Sequence, residues 1–331
     1  MIFKNQLIKI LLTLLLWNSV SFLQTDSWQH FDKENSGLPT NTIRCVTQDK
    51  KGIYWIGTWD AGLVKFDGKN WTVYNMKNSG LPNNCVYSIT FDKKGKLYIG
   101  TMGGGLAIFD GKKSWKIFNE KNSKMPENWI YSVALDKKSN IWVGTNSEGL
   151  AIFDGKKWQV YNKTNSILRD SKVTYINIDK NDDKLLGNQS ELVFIIDGKW
   201  KTEADMRIDT LEGSAYWISE TSSGKKIISY KYGGITIFDG ENFQIFKKNN
   251  SSIPIEGFYS AIEDQQGIIW AGSFGEGVVF FNGSVWEHWN KKNSPLKDDI
   301  VFNIFADSKN NKWISTYFNG IYIYNEAGVK F

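Results

Sequence analysis

The sequence contains few of the residues on which common site chemistry depends. Its 331 residues include two cysteines, two histidines and five prolines. So few cysteines exclude a disulfide-rich scaffold, even for an exported chain. No phosphate-binding loop, zincin motif or G-x-S-x-G nucleophile motif occurs. We therefore assign no catalytic residue, no metal site and no cofactor from the sequence.

The cysteines and histidines occupy positions typical of a packed framework. Cys45 and Cys85 lie 17 and 14 residues after a recurring aromatic residue described below. That three-residue offset is about 10 Å along a strand, which exceeds disulfide reach, so we predict two free thiols. His30 and His288 each follow the recurring aromatic by two residues. We interpret both as packed or surface residues of equivalent strands.

The sequence also lacks a strong excess of charge of either sign. Forty basic and 35 acidic residues give a net charge of +5, and they are dispersed along the chain. No basic stripe is present of the kind that binds the phosphate backbone. The charge pattern therefore predicts no nucleic-acid partner.

Long apolar runs are absent except for a short one near the N-terminus, residues 10–17. A spanning helix needs about 20 apolar residues, so this run is typical of a secretory signal peptide. Lysines flank the run, and small residues in an A-x-A-like pattern follow it. We predict a signal peptide over residues 1–21 and a mature chain, 22–331, without a membrane span, exported to a bacterial periplasm or secreted. The alternative is an uncleaved signal anchor. The residues in question are Lys4, Lys9, Ser19 and Ser21.

Aromatic residues and glycine are abundant, and they recur in a repeat. The stretch GLAIFDGKK occurs at residues 105–113 and again at 149–157. An aromatic residue that follows each copy recurs seven times, at spacings of 42 to 44 residues. Self-similarity at this period indicates a solenoid, an array or a propeller. The recurring aromatics are Trp28, Trp71, Trp115, Trp158, Trp200, Phe243 and Trp286.

Each repeat has the pattern of four short strands joined by tight turns. An aspartate lies 21 residues after most of the recurring aromatics and begins a turn, and an Asp-Gly or Asn-Gly pair makes a hairpin further on. The turn aspartates could suggest calcium, but their regular recurrence fits turn capping. The fourth strands are apolar on both faces, as a sheet packed between two neighbours requires. We predict an all-β, seven-bladed β-propeller with four-stranded antiparallel blades.

The ends of the chain predict how the ring closes. The last repeat stops after its third strand at residues 320–324, and an unmatched fourth strand, WQHF, lies at residues 28–31. Pairing this N-terminal strand into the last blade would remove an exposed sheet edge. We therefore predict a single propeller domain closed by its N-terminal strand.

The repeat resembles the two-component regulator propeller repeat, N-x-V-x-x-I-x-x-D-x-x-G-x-I-W-I-G-T-x-x-G-G-L-x-x-F-D. Its best copies are residues 83–110 and 128–154, and the resemblance extends over residues 28–331. Thr221 departs from the pattern by replacing the turn aspartate. The resemblance implies the extracytoplasmic sensor of a bacterial hybrid histidine kinase that responds to glycans. We expect a sensor-like module without its own kinase.

The turn between the second and third strands varies most among the repeats, so it is our candidate ligand site. In a propeller these turns share a face with the loops that enter the first strands, around the channel mouth. Aromatic and polar residues there would suit a glycan or a protein partner. The predicted ligand-binding residues are Trp59, Asp60, Glu148, Lys231, Tyr232, Phe274, Glu276, Tyr317, Phe318 and Asn319.

Two alternatives remain open at the level of the sequence. A polysaccharide lyase or glycoside hydrolase would use carboxylates of the same face, and a glycosidase needs two at a defined separation. A structural or assembly role would need neither catalytic carboxylates nor a ligand site. The sequence does not indicate an oligomeric state. The carboxylates in question are Asp60, Glu148, Glu191 and Glu276.

Overall fold

Seven four-stranded antiparallel sheets make up the part of the chain that the structure describes. The structure is a computed structural model, and it describes residues 27–206 and 213–331. In each sheet the strands follow one another in chain order, apart from the last, which recruits the N-terminal strand. The predicted seven-bladed β-propeller is confirmed. The predicted signal peptide, residues 1–21, lies outside the described residues.

Each of the first four blades is one repeat with its four strands in sequence. Blade 1 consists of β2 (Ile43–Gln48), β3 (Tyr54–Thr58), β4 (Leu63–Phe66) and β5 (Trp71–Tyr74). Blade 2 consists of β6 (Val86–Phe91), β7 (Leu97–Thr101), β8 (Leu106–Phe109) and β9 (Trp115–Phe118). Blade 3 consists of β10 (Ile130–Leu135), β11 (Ile141–Thr145), β12 (Leu150–Phe153) and β13 (Trp158–Tyr161). Blade 4 consists of β14 (Val173–Ile178), β15 (Lys184–Asn188), β16 (Leu192–Ile196) and β17 (Lys199–Thr202).

The remaining blades follow the same order until the ring closes. Blade 5 consists of β18 (Ala215–Glu220), β19 (Lys226–Tyr230), β20 (Ile235–Phe238) and β21 (Phe243–Phe246). Blade 6 consists of β22 (Phe258–Glu263), β23 (Ile269–Ser273), β24 (Val278–Phe281) and β25 (Trp286–Trp289). Blade 7 consists of β26 (Val301–Ala306), β27 (Lys312–Thr316), β28 (Ile321–Tyr324) and β1 (Trp28–Phe31).

Helical structure is confined to two short segments of the described chain. These are α1 (Glu120–Ser123) and a 3₁₀ turn, Ala204–Met206. Within the described ranges, no helix has the length and apolar character needed to cross a bilayer.

The N-terminal strand completes the last blade as predicted. β1 pairs antiparallel with β28, with Trp28 opposite Tyr324 and Phe31 opposite Ile321. The two strands lie at opposite ends of the chain, so their ladder ties the termini together. The exposed edge that an open ring would leave is thereby paired.

The hydrophobic core is divided into seven clusters, one between each pair of neighbouring blades. A fourth strand contributes to two of them because its two faces point to different neighbours. Trp71 and Val73 pack into the cluster between blades 7 and 1, whereas Tyr74 packs into the cluster between blades 1 and 2. The two-sided apolar pattern seen in the sequence is therefore the signature of a sheet buried on both faces.

Close packing near the axis requires small residues in the second strands. A Cβ atom added to Gly144 would lie 2.6 Å from the carbonyl oxygen of Val173 in the next blade, and one added to Gly272 would lie 2.6 Å from that of Val301. Real side chains do not approach a backbone atom so closely. Blades 5 and 7 carry serine at the equivalent position.

The recurring turn aspartates cap their turns, as predicted. The Asp307 carboxylate accepts the backbone N–H groups of Lys309 (2.8 Å) and Asn311 (2.9 Å) and the indole N–H of Trp313 (2.9 Å). In blade 5, the hydroxyl oxygen of Thr221 accepts the N–H of Lys225 instead (2.9 Å). Asp49, Asp136 and Asp264 each likewise accept the backbone N–H four residues on and an indole N–H from the second strand.

Candidate functional site

One residue of each first strand is forced out of the regular sheet. In blade 1, Ile43 pairs with Thr58 and Cys45 pairs with Gly57, which leaves Arg44 without a pairing partner. The same irregularity recurs in every blade, and a bulge of this kind redirects the side chain of the extra residue. We refer to these seven residues as the bulge ring. They are Arg44, Tyr87, Tyr131, Thr174, Tyr216, Tyr259 and Phe302.

The bulge ring separates two cavities along the propeller axis. All seven residues line an axial chamber of about 340 Å³ that extends among the first strands. All except Thr174 also line an open bowl of about 390 Å³. The hydroxyl of Thr174 instead donates to the carbonyl oxygen of Ala215 (2.6 Å), and that of Gly187 lies 3.0 Å from the same hydroxyl. The other residues that line the bowl are Trp59, Met102, Ile300 and Tyr317.

The bowl lies on the face that carries the turns between second and third strands. These turns form hydrogen bonds with the loops that lead into first strands. The backbone N–H of Trp59 donates to the carbonyl oxygen of Thr42 (3.1 Å), and the N–H of Gly62 donates to the carbonyl oxygen of Asn84, in the loop that enters the next blade (2.9 Å). The turns and the loops therefore share one face, which we call the crown. This is the arrangement expected from the propeller topology.

Among the described residues that line the bowl, Arg44 alone is charged. Its guanidinium carbon lies 4.0 Å from the ring centre of Tyr87 and 4.3 Å from that of Phe302. The Trp59 ring centre is 5.6 Å away. Contacts of this kind between a cation and aromatic faces are favourable and fix the orientation of the guanidinium.

Three tyrosines of the bulge ring, Tyr87, Tyr131 and Tyr259, are neutral hydrogen-bond donors at physiological pH. Burial raises the pKa of Tyr87 and of Tyr259 to about 12, and Arg44 opposes the shift in both. Burial also raises the pKa of Tyr131, whose hydroxyl donates to the side chain of Asn146 (3.2 Å). The described lining of the bowl therefore offers O–H groups and aromatic faces beside the guanidinium of Arg44.

Aromatic residues form a continuous arc on one side of the bowl. Tyr259 stacks on Phe274 with ring centres 3.7 Å apart, and it meets Phe302 edge-on at 4.7 Å. Phe302 in turn contacts Tyr317 edge-on at 5.1 Å. These contacts restrict the rotamers of the rings, so the aromatic surface is pre-organised rather than mobile.

The structure divides the predicted aromatic residues into two groups. Trp59 and Tyr317 line the bowl, and Phe274 supports it from behind through Tyr259. Tyr232 and Phe318 do not line it, and they are 67% and 60% exposed on the rim. The Nζ atom of Lys231 lies 5.1 Å from the ring centre of Tyr232, outside the bowl lining.

The predicted polar residues are not gathered in the bowl. Asp60, Glu148 and Glu276 are exposed on their turns, and the carbonyl oxygen of Asn319 contacts the imidazole of His30 (2.7 Å). None of the ten described residues that line the bowl carries a carboxylate or an imidazole.

Glu191, which the enzyme alternative also considered, is not free to act on a ligand. It is 2% exposed, and one of its carboxylate oxygens lies 3.2 Å from Nε of Arg169. The other oxygen accepts the backbone N–H of Arg169 (2.7 Å). Its observed role is to fix the loop that enters β14.

The bulge ring is the part of the candidate site that the sequence analysis missed. Four of its seven members are tyrosine, so the position varies little and resembles a core position. The turns between second and third strands vary more among the repeats, and the predicted ligand-binding residues all lie there. A signal was present, because blade 1 has an arginine at this position, whereas five of the other six blades have an aromatic residue there.

A comparison with protein families identifies the repeat. A family model described as the two component regulator propeller matches residues 37–60, 80–103 and 124–147. Each match begins before a first strand and ends within or just after the turn that follows the second strand, in blades 1, 2 and 3. These are two-component regulator propeller repeats. The regulator propeller repeats thus contain the bulge-ring residues Arg44, Tyr87 and Tyr131.

Solved structures share this propeller fold at low sequence identity. The extracellular domain of a protein described as the hybrid two-component system BT3049 from B. thetaiotaomicron has a TM-score of 0.74 and 20% identity, over 91% of this chain and 42% of that one. That of BT4673 from the same organism has a TM-score of 0.74 and 19% identity, over 92% and 40%. The chain thus spans well under half the length of these two structures.

Enzymes also occur among the structures with this fold. Virginiamycin B lyase from Staphylococcus aureus has a TM-score of 0.71 and 14% identity, over 89% of this chain and 98% of that one. A search of curated proteins found no match to the sequence. The family comparison therefore shows regulator propeller repeats in three blades, and the solved structures show that this chain shares the propeller fold.

Proposed function

We propose that this propeller is an exported, sensor-like binding module that takes up a glycan or a protein partner in the crown bowl. The observation that carries the proposal is the composition of the bowl, whose lining combines aromatic faces and tyrosine hydroxyls with one arginine. Concave sites of a few hundred Å³, mostly apolar with a few polar groups, are typical of ligand pockets. The bowl, at about 390 Å³, fits this description.

Aromatic rings and hydroxyl donors suit a ligand that is itself amphipathic. The C–H faces of a sugar ring can stack on Trp59 or Tyr317, while the tyrosine hydroxyls bond to its oxygen atoms. An aromatic side chain of a partner protein could use the same surface. A rigid aromatic arc loses little conformational entropy on binding, which favours affinity.

Binding is better supported than hydrolysis because of where the carboxylates lie. A glycoside hydrolase needs two carboxyl groups that face the ligand. The described residues that line the bowl supply none, and Glu191 is buried in an ion pair with Arg169. The virginiamycin B lyase is only 14% identical to this chain, so the similarity supports a shared fold and not a shared activity.

The exported, sensor-like part of the proposal rests on the repeat and on the N-terminal sequence. Regulator propeller repeats match three blades, and the similar B. thetaiotaomicron structures are extracellular domains. The apolar run at residues 10–17 is typical of a signal peptide. Under this proposal the chain works in a periplasm or outside the cell and passes its signal to a separate partner.

The test is single alanine substitution in the bowl, with binding to a panel of glycans and extracytoplasmic proteins as the readout. Trp59→Ala and Tyr317→Ala should each weaken binding about 30-fold, which corresponds to a loss of about 2 kcal/mol. Phe274→Ala should have a smaller effect, because Phe274 acts through Tyr259.

The control is Met76→Ala, which removes a 56% exposed apolar side chain away from the bowl. It should leave both affinity and melting temperature unchanged. Unchanged affinity in both Trp59→Ala and Tyr317→Ala would contradict the proposal. So would a loss of binding that only parallels a loss of thermal stability.

A further inference from the structure

We infer that the ligand of the bowl is an acidic sugar whose carboxylate pairs with Arg44. This inference rests on the proposed binding function and names the ligand class for the same site. It starts from the position of Arg44, which is the only cation in an otherwise neutral bulge ring.

The guanidinium of Arg44 is held in place by aromatic rings and not by an acid. It lies between Tyr87 and Phe302, at 4.0 and 4.3 Å from their ring centres. Stacking of this kind leaves the edge of the guanidinium, which carries its N–H donors, free to meet a ligand. A planar carboxylate matches that edge with two parallel hydrogen bonds.

Arg44 lacks the partner that such a cation normally has. It is half-buried, and its Nε atom is buried with no hydrogen-bond acceptor among the described residues. Arg169, on the same face, has its Nε 3.2 Å from the carboxylate of Glu191. The guanidinium has no carboxylate partner among the described residues, so a ligand anion that pairs with its accessible edge would bind with a clear advantage.

Two acids of the surrounding loops are engaged elsewhere. Glu127 accepts the backbone N–H of Ser147 (2.7 Å), and Asp298 accepts that of Phe318 (2.7 Å). They hold the turns of the crown and form no ion pair with Arg44 within the described part of the chain. A second cation is also present, because Nζ of Lys172 lies 4.9 Å from the ring centre of Tyr131. Arg44 and Lys172, the two cations that lie against rings of the bulge ring, favour an anion there.

A sugar acid fits the remaining features of the bowl. One or two sugar units occupy roughly the volume of a small ligand pocket, in keeping with a bowl of about 390 Å³. Their apolar faces match Trp59 and Tyr317, and their hydroxyl groups match the neutral tyrosines. A simple anion such as phosphate would use Arg44 and leave the aromatic arc without a role.

The test is calorimetric titration of short acidic oligosaccharides, each paired with its neutral counterpart. The probes are oligomers of galacturonate, glucuronate and mannuronate, set against galactose, glucose and mannose oligomers of equal length. The wild-type protein should bind at least one acidic probe about tenfold or more tightly than its neutral counterpart. Raising the NaCl concentration should reduce that preference, because the charge pair is partly exposed to solvent.

Three variants test which residues cause the preference for the acidic probe. Arg44→Gln should lower affinity for the acidic probe about 30-fold or more and remove the preference for acid. Arg44→Lys should restore part of it, because a lysine keeps the charge but loses the two parallel bonds. Trp59→Ala should weaken acidic and neutral probes alike. Thermal melts check that each variant is folded.

The outcomes separate this inference from the proposed function. One outcome is that neutral probes bind tightly, in a way that depends on Trp59 and is unchanged in Arg44→Gln. That result would overturn the inference of an acidic ligand and leave the proposed function intact. If a peptide binds through its terminal carboxylate in a way that depends on Arg44, and no acidic sugar binds, the inference that the ligand is a sugar is overturned. Absence of any binding to the bowl would overturn both. If Arg44→Gln fails to fold, a wild-type preference for acid that does not respond to NaCl would overturn the inference.

Discussion

A single carboxylate, that of Asp307, joins the first and last blades of the ring. One of its oxygens accepts the hydroxyl of Tyr54 in blade 1 (2.7 Å) and the indole N–H of Trp313 in blade 7 (2.9 Å). The other caps the turn before β27. Burial, and then Asp307 itself, raise the pKa of Tyr54. At the residue scale, one turn position thus serves both local structure and ring closure.

The first prediction compares two turn aspartates. Asp307→Thr should retain the turn, because Thr221 caps the equivalent turn of blade 5, but it removes the acceptor of Trp313 and Tyr54. These two buried donors, and the Asn311 amide that donates to the same oxygen (2.7 Å), would lose that acceptor, which should cost about 2–4 kcal/mol of unfolding free energy. The matched control is Asp92→Thr, because Asp92 accepts only backbone N–H groups in the described structure. Equal losses in the two variants, measured by urea unfolding, would contradict this account.

The second prediction concerns the thiols, which are free as the sequence predicts. Burial raises the pKa of Cys45 to about 12 and that of Cys85 to about 11. The thiolate is the reactive form, so native Cys45 should resist iodoacetamide at pH 8 and Cys85 should react slowly. Unfolded cysteine ionises near pH 8.5, so these shifts make stability fall as pH rises above that value. Mass spectrometry that finds native Cys45 alkylated as fast as in urea would refute the prediction.

At the element scale, the first strand contributes both to the core and to the site. Its regular positions pack between blades, while the bulge sends Arg44 and its equivalents into the channel mouth. The four-strand repeat and the turn chemistry follow from residue spacing and could be predicted. The bulge was missed, because its only mark is a one-residue shift of the apolar alternation within a six-residue strand: Ile43 and Val46, three residues apart, pack into the same cluster. The predicted ligand-binding residues therefore lie on the crown, the face on which we propose the site, but they do not include the bulge ring.

The third prediction tests how closely the blades pack. Gly144→Ser would place a Cβ atom 2.6 Å from the carbonyl oxygen of Val173, so β11 or β14 must move. We expect a loss of roughly 1–3 kcal/mol, which is the usual cost of overpacking. Ser315→Ala at the equivalent position of blade 7 is the control. It removes a buried hydroxyl that has no partner among the described residues, so it should be neutral or slightly stabilising. A neutral Gly144→Ser in chemical denaturation would show that the blades are less tightly packed.

At the scale of the whole molecule, ring closure follows from counting strands along the sequence. Seven first, second and third strands and an unmatched N-terminal strand leave one way to complete the last blade, and β1 takes that place. The ligand does not follow from such counting. It depends on which side chains the seven bulges bring together, and the positions of these residues are 43 or so apart in the sequence.

The fourth prediction concerns closure. Deletion of residues 22–33 removes β1 and leaves β28 as an unpaired edge. Domains are stable by only roughly 5–15 kcal/mol, so loss of this ladder and of the Trp28 packing should unfold or aggregate the protein. Deletion of residues 22–26 alone keeps all of β1 and should have little effect. An unchanged melting temperature and monomer elution after the larger deletion would mean that β1 does not close the ring.

The claim that ties these scales together is that the crown bowl is a binding site for an acidic sugar. The most direct measurement is a crystal structure of the protein with the acidic oligosaccharide that binds most tightly in the titrations. We predict difference density inside the bowl, with a carboxylate about 3 Å from the guanidinium of Arg44 and a sugar face against Trp59 or Tyr317. Density on the opposite face or between blades, with the bowl empty, would contradict the claim.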